Sequence, residues 1–339
     1  MTETEKKPAR LVIAMNFSDE LVAKVREAAP HYRVERHFPE VPANVWADTE
    51  ILYTLRALPS PEQAPHLRWI QLHSAGVDIV VGNAILQRPE IQITTASGIH
   101  AVQIAEYCLA MMLAFNVQIP RMLDLQQKAE WPTEPHKLFS PRTLRGQTLG
   151  IHGYGSIGRE LARIASAMGM RVLATKFDAM HTEDTGYTEP DTGDPRGELP
   201  ERIYPGQALG SMVRDCDYLV IAAPLTEGTR RSIDAEVLEQ MKPTAVLINI
   251  ARGALVDQPA LISALHDNKI RGAGLDVFEQ EPLPKDSPLW KMKNVILSPH
   301  VSGNTITYNQ KTAALFVENL KRFIEKRPLL NLLNKSRLY

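Results

Sequence analysis

The sequence predicts an α/β protein built from two doubly wound parallel sheets, and three observations carry that expectation. Short β-branched runs alternate with amphipathic stretches along nearly the whole chain, the pattern left by strand–helix–strand units when a parallel sheet is covered on both faces. At 339 residues the chain exceeds what one core of ordinary size accommodates, so two compact units are expected. The alternation also breaks once, at an apolar run followed by a proline-rich stretch, and then restarts.

In the first part, strands are expected at RLVIAMNF (10–17), RVERHF (33–38), ILYTL (51–55), LRWIQLH (67–73) and IQITTA (91–96). DELVAKVREAA follows Ser18, a suitable N-cap, and reads as a helix. HAVQIAEYCLAMMLAF (100–115) is apolar on nearly every face, which predicts a helix buried between larger bodies at a domain junction. WPTEPHKLFSPRTLRG (131–146), with its three prolines, reads as a linker.

From Gln147 six strands are expected, in QTLGIHG, MRVLATK, YLVIAAP, VLINIA, IRGAGLDVF and NVILSPH, with a helix from Ser156 to Met168. Beyond His300 the chain reads as one amphipathic helix (about 304–325) and a tail. Residues 180–206 hold Pro, Gly, Thr and acids with almost no aliphatic side chains, which predicts a mobile surface insertion, with an oligomer contact or a lid edge as alternatives.

Composition removes several function classes. Hydrophobic residues at 44% and charged residues at 23% are ordinary for a globular protein. Lys plus Arg (38) nearly cancels Asp plus Glu (39), which leaves no long-range electrostatic argument for nucleic acid or an anionic membrane and leaves a small neutral or anionic ligand open. The N-terminus has no long apolar core after its charges, and no stretch reaches the length of a membrane span, so a cytoplasmic protein is expected. Cys108 and Cys216 each sit in an apolar run and read as core filler. His31 and His37 have no cysteine or second histidine pair nearby and read as strand-surface residues, so no metal site is expected.

GYGSIG (153–158) closes one expected strand and opens a helix, the context in which this glycine spacing cradles a dinucleotide. Gly153 would permit the tight turn, Gly155 would let backbone approach a pyrophosphate, and Gly158 would let helix and strand pack closely. Free N–H groups at the helix start would meet the anion. At the end of the next strand an acid would hold the ribose 2′-hydroxyl of NAD, but Lys176 stands there, 18 residues after Gly158. A lysine attracts the 2′-phosphate of NADP, so NADP(H) is favoured over NAD(H); Asp178, on the same side of a continuing strand, could still serve the ribose.

Three later strand ends each deliver a polar group. VLINIA leads to Arg252, whose fork can grip a carboxylate at two points; GLDVFEQEPLP carries Asp276 and Glu281; VILSPHVSG carries His300. Ligands collect at the carboxyl ends of strands in such sheets, so arginine, carboxylate and histidine on one edge beside a dinucleotide loop predict an active site.

With these motifs in view, the chain resembles the D-isomer-specific 2-hydroxyacid dehydrogenase family. HSAGVD (73–78), GIHAVQIAEY (98–107), GYGSIG (153–158), LVIAAPLTEGT (219–229), INIARGALVD (248–257), GLDVFEQEPLP (274–284) and SPHVSG (298–303) follow in that family's order over most of the length. The resemblance implies two Rossmann-like domains, a dinucleotide-binding domain (111–303) being inserted into a discontinuous, flavodoxin-like substrate domain (1–110 plus 304–339). It further implies a homodimer joined through the cofactor domains, and hydride transfer between NAD(P)H and a small 2-oxo acid, as in glyoxylate or hydroxypyruvate reductases.

By residue, the resemblance makes Arg252 the substrate-binding arginine, Glu281 the acid partner and His300 the proton carrier. It assigns the backbone of Ser74, Ala75, Gly76 and Val77 to the substrate carboxylate. It assigns Ser156, Ile157, Lys176, Pro224, Thr229, Ile250, Ala251, Asp276 and Gly303 to the cofactor, beside the three loop glycines. Two departures stand out: Lys176 where many members carry Asp, and a long 180–206 insertion. A dinucleotide-sensing interaction protein with little turnover is the alternative, since corepressors resemble these dehydrogenases too. A formate dehydrogenase would be expected to carry Gln at position 281. Leu52, Tyr53 and Trp131 read equally as substrate pocket or as core, so the substrate side chain stays open.

Overall fold

The protein is seen here as a computed structural model that describes residues 8–335. Residues 1–7, which entered the expectation about the N-terminus, lie outside the described residues. The chain forms two compact units, one comprising residues up to Ile99 with those from Thr305 on, the other His100–Asn304.

The first unit holds β1 (Arg10–Ala14), α1 (Asp19–Ala28), β2 (Arg33–Arg36), β3 (Thr49–Thr54), β4 (Trp69–Leu72) and β5 (Gln92–Thr94). All strands pair in parallel in the order β2-β1-β3-β4-β5. Ser18 caps α1 as expected, its hydroxyl accepting from the Leu21 N–H. Leu52 and Tyr53 are fully buried, so both are core rather than pocket lining.

The second unit holds α2 (Ala101–Asn116), α3 (Ile119–Gln127), α4 (Pro135–Leu138), β6 (Thr148–His152), α5 (Ser156–Ala167), β7 (Arg171–Lys176), β8 (Arg202–Pro205) and α6 (Leu209–Val213). It continues with β9 (Tyr218–Ile221), α7 (Ala235–Gln240), β10 (Val246–Asn249), α8 (Gln258–His266), β11 (Gly272–Leu275) and β12 (Val295–Leu297). α2 belongs wholly to this unit, a correction to the boundary expected at residue 110. Its Ile104, Ala105, Cys108, Met112 and Phe115 share one core cluster with Leu149, Ile151, Leu161 and Ile248, so cutting the helix would expose a packed face. Cys216 is equally buried in the cluster on the other side of the sheet. Trp131, in the expected linker, is 89% exposed. The last helix, α9 (Tyr308–Ile324), joins the first unit: Phe316 and Leu320 lie in the cluster that contains Leu11, Ile13, Tyr53 and Trp69.

The second sheet is parallel throughout, in the order β12-β11-β10-β9-β6-β7-β8. It therefore has seven strands where six were expected. The extra strand, β8, falls within the 180–206 stretch and pairs at the sheet edge, where Pro205 stands opposite Lys176 without interrupting a ladder further out. From β6 the chain winds to one side through β7 and β8, then crosses over to β9 and winds to the other. The loops after β6 and β9 consequently flank the point where strand order reverses, the crevice in which such sheets bind ligands.

The expected mobile insertion is instead anchored. Arg159, 1% exposed, donates to the carbonyls of Thr182 and Asp194 and lies 4.8 Å from the Tyr154 ring centroid. Glu160, equally buried, accepts the Gly193 N–H at 2.7 Å, and the Tyr154 hydroxyl donates to Asp194 at 2.6 Å. Burial opposes the charge of Asp194, but the hydroxyl of Tyr154, the N–H groups of Leu199 and Glu198 and the Arg159 charge outweigh it and hold the carboxyl below its usual range. Among the described residues, no single helix is long and apolar enough to cross a membrane.

Candidate active site

The glycine loop has the geometry its spacing predicts. Gly153 has φ +104°, and a Cβ there would lie 2.5 Å from the Ala223 nitrogen, so the turn after β6 tolerates no side chain. A Cβ at Gly158 would lie 2.7 Å from the Gly153 carbonyl oxygen, whereas one at Gly155 would meet nothing within 4 Å. Gly155 thus leaves the approach to the backbone open, and as N-cap of α5 it supplies no side-chain hydrogen bond, which leaves first-turn N–H groups for an anion. Ser156 and Ile157, half-buried, form that first turn. A dinucleotide pyrophosphate fits this cradle.

His152 closes β6 immediately before the loop. It is 4% exposed, with Nδ1 2.8 Å from the Thr175 hydroxyl and Nε2 3.2 Å from that of Ser232. Burial lowers its pKa from 6.5 to about 4. Between those values the unfolded chain binds a proton that the folded chain does not, so stability falls as pH drops through this window. His152 should cost about 2 kcal/mol of stability between pH 7 and pH 5. Denaturant midpoints at the two pH values, in the wild type and in His152→Gln, check this; an equal pH effect in both proteins would contradict it.

Lys176 ends β7 as expected, with its ammonium donating to the carbonyls of His181 and Glu183. Asp178 does not point along a continuing strand: its carboxylate accepts from the N–H groups of Met180 and His181 and lies 2.7 Å from the His181 ring. After β9, the Thr229 hydroxyl donates to the Pro224 carbonyl at 2.7 Å and accepts from the Thr226 N–H at 2.8 Å, bracing that loop from inside.

Arg252 follows β10. The fully polar end of that strand, Asn249, is 1% exposed and holds the bend on both sides: its amide donates to the Arg252 carbonyl at 3.0 Å and accepts from the Ala251 N–H at 3.1 Å. Ile250 is buried between them and Ala251 half-buried. Gly253 is required by space, since a Cβ there would lie 1.8 Å from the Phe278 carbonyl carbon. The Asn249 brace is missed by a reading that treats it as part of an apolar strand.

His300 follows β12, and Glu281 follows β11. His300 Nδ1 lies 2.7 Å from Glu281 Oε2, while Glu281 Oε1 accepts the Phe278 N–H at 3.0 Å, so the carboxylate is aimed at the ring. The imidazole is 49% exposed and its backbone takes φ 55°, a left-handed conformation that histidine adopts more readily than most residues. Asp276 holds that conformation. It is fully buried; Oδ1 accepts the Val301 N–H at 2.8 Å and the Ser298 hydroxyl at 2.6 Å, Oδ2 accepts the Ser302 N–H at 2.9 Å, and its carbonyl accepts the His300 N–H at 2.9 Å. The carboxylate of Asp276, which the resemblance assigns to the cofactor, hydrogen-bonds the histidine loop.

Tyr107, from α2, extends the network by donating to the Ser298 hydroxyl at 2.5 Å, and burial pushes its phenol up to about 12 so that it stays a donor. Gly303 accepts the Gln103 amide at its carbonyl at 3.2 Å, and a Cβ built on it would lie 3.0 Å from the His100 ring, so it packs closely against the start of α2. In the first unit, Ser74–Val77 follow β4; the Ser74 hydroxyl donates to the Gly76 carbonyl at 2.6 Å, and Val77 is buried.

One edge of one parallel sheet therefore presents a dinucleotide cradle, an arginine and a carboxylate–imidazole pair, the equipment of an oxidoreductase that moves a hydride and a proton together. A family model described as "D-isomer specific 2-hydroxyacid dehydrogenase, NAD binding domain" matches residues 109–302. A glyoxylate reductase of Korarchaeum cryptofilum is 34% identical over 276 residues, 81% of this chain and 78% of the relative. An (S)-sulfolactate dehydrogenase of Chromohalobacter salexigens is 35% identical over 262 residues, 76% of this chain and 78% of the relative. A D-isomer specific 2-hydroxyacid dehydrogenase of Xanthobacter autotrophicus, solved with NADPH and MES, superposes with a TM-score of 0.78 at 26% identity and covers 98% of this chain and 100% of its own.

The chain belongs to the D-isomer specific 2-hydroxyacid dehydrogenase family. It is an oxidoreductase that uses a nicotinamide dinucleotide and acts on CH–OH donors.

Proposed function

We propose that the protein reduces a small 2-oxo acid, of the glyoxylate or hydroxypyruvate kind, to the D-2-hydroxy acid, with NADPH preferred over NADH. The pairing of His300 Nδ1 with Glu281 at 2.7 Å, one strand end away from Arg252, carries this reading. Bound NADPH supplies the hydride at C4 of its nicotinamide. Glu281 takes the Nδ1–H of the imidazole, a tautomer assigned from the hydrogen bond, which leaves the transferable proton on Nε2. His300 gives that proton to the carbonyl oxygen in reduction and takes it back in oxidation. Its half-exposed ring can exchange protons with water between turnovers. Arg252 neutralises the substrate carboxylate and polarises the carbonyl beside it.

The cofactor preference rests on charge. Lys176 ends β7, and the nearby acid Asp178 is occupied by the turn at His181. The relative from Xanthobacter autotrophicus was solved with NADPH. Absorbance at the nicotinamide band, followed with NADPH and NADH against glyoxylate, hydroxypyruvate, pyruvate and bulkier 2-oxo acids, tests the proposal. Oxidation of NADPH with the small acids is expected. Silence across the series despite cofactor binding would overturn it.

A further inference from the structure

The stretch between β7 and β8 is built onto the dinucleotide loop by residues that the hydride-transfer chemistry does not use. Tyr154 comes from within GYGSIG, and Arg159 and Glu160 follow it directly; all three are buried, and all three end on this stretch. A buried guanidinium is costly unless it is paired; here its two Nη groups donate to the backbone carbonyls of Asp194 and Thr182, while Nε makes no hydrogen bond and lies 3.4 Å from the Asp184 carboxylate. The stretch also folds back on itself. The Asp184 N–H donates to the Pro195 carbonyl at 2.9 Å, the Thr182 hydroxyl donates to the Arg196 carbonyl at 2.9 Å, and Gly197, at φ +73°, has no room for a side chain because of Thr182.

The same stretch also holds the residue on which the cofactor preference rests. Two of the three N–H donors of the Lys176 ammonium go to the carbonyls of His181 and Glu183. The carbonyl of His181 is in turn held by the turn that Asp178 caps, through two backbone N–H groups and the His181 ring. Without that turn a lysine at a strand end is a flexible, solvated point charge. We infer that residues 178–199 are a fixed wall of the adenosine pocket that positions the Lys176 ammonium for a phosphate on the ribose, with Asp178 capping the turn and Arg159 as its buried anchor.

This assigns Asp178 a role opposite to the one its charge suggests. If it were merely an acid near the ribose, removing it would strengthen binding of a 2′-phosphate. As the cap of the positioning turn, its removal weakens that binding.

The inference rests on the proposed NADPH preference, and titration calorimetry separates the two. The probes are adenosine 2′,5′-bisphosphate and 5′-AMP, which differ only in the 2′-phosphate. Lys176→Met should weaken the bisphosphate about tenfold, the worth of one charged hydrogen bond, and leave 5′-AMP nearly unchanged. Asp178→Ala should weaken the bisphosphate about threefold or more, again sparing 5′-AMP. Arg159→Met should act in the same direction and open the stretch to trypsin at Arg196. Should the buried Arg159 variant fail to fold, the half-exposed Asp178 position decides the question. Asp178→Ala binding the bisphosphate as tightly as the wild type, or more tightly, while Lys176→Met weakens it, overturns the inference alone. No effect of Lys176→Met overturns the cofactor preference and the inference with it.

Discussion

His300→Ala is expected to lower turnover by about 10² to 10⁴, the usual worth of a positioned acid–base group, with cofactor affinity unchanged. The structure gives three reasons for so large a loss. The ring is aimed by a 2.7 Å contact from Nδ1 to Glu281, which fixes which nitrogen carries the mobile proton. Its backbone is held at φ 55° by the buried Asp276, whose carboxylate accepts the N–H groups of Val301 and Ser302 and whose carbonyl accepts that of His300. And among the described residues no other histidine lies in the segment between β12 and α9. Because the proton moves only as the carbonyl is reduced, the loss should appear in kcat and kcat/KM together rather than in KM. Steady-state kinetics with a direct cofactor titration checks this, and near-normal turnover in the variant would reject the assignment.

Gly253→Ala should damage two catalytic groups with one methyl. The new Cβ would sit 1.8 Å from the carbonyl carbon of Phe278, 2.0 Å from its oxygen and 2.3 Å from the Glu279 nitrogen. These are backbone atoms, which cannot rotate away as a side-chain end could. They also belong to the segment whose Phe278 N–H holds Glu281 at 3.0 Å. Relief of the clash must therefore move the Arg252 bend, the Glu281 segment or both. Overpacking of this kind costs about 1 to 3 kcal/mol, and misplaced catalytic groups cost about tenfold to a hundredfold in rate. A denaturant midpoint and a kcat/KM equal to those of the wild type would show that the two loops are less interlocked than the structure indicates.

The strands were legible because a parallel sheet covered on both faces leaves continuous apolar runs, and β1, β3, β4, β6, β9 and β10 are such runs. The glycine loop was legible because each glycine answers a separate local demand. Arg252, Glu281 and His300 could be grouped from the sequence because the parallel, neighbouring strands β10, β11 and β12 bring their ends to one edge. What periodicity missed has a common cause. β8 is a short edge strand, RIYP, half exposed and ending in proline, so it carries no apolar signature. The 180–199 stretch reads as mobile by composition, yet it is fixed by contacts made to a helix elsewhere in the chain, above all to Arg159. Asp276 and Asn249 look like a site residue and a strand residue; only the three-dimensional arrangement shows each bracing a loop, the one that carries His300 and the one that carries Arg252. Arg159 and Asp276 act through backbone partners 23 or more residues along the chain, which leaves no spacing to read, while Asn249 acts within three residues but closes an apolar run that hides it.

Isotope tracing reaches the chemistry of the Arg252–Glu281–His300 site most directly. NADPH carrying deuterium at the transferable C4 position is incubated with hydroxypyruvate and the wild-type protein, and the product is analysed by mass and configuration. One deuterium at C2 of a D-2-hydroxy acid is the expected result, formed about 10² to 10⁴ times more slowly by His300→Ala. Bound cofactor with unlabelled or absent product from the wild type would contradict hydride transfer at this site.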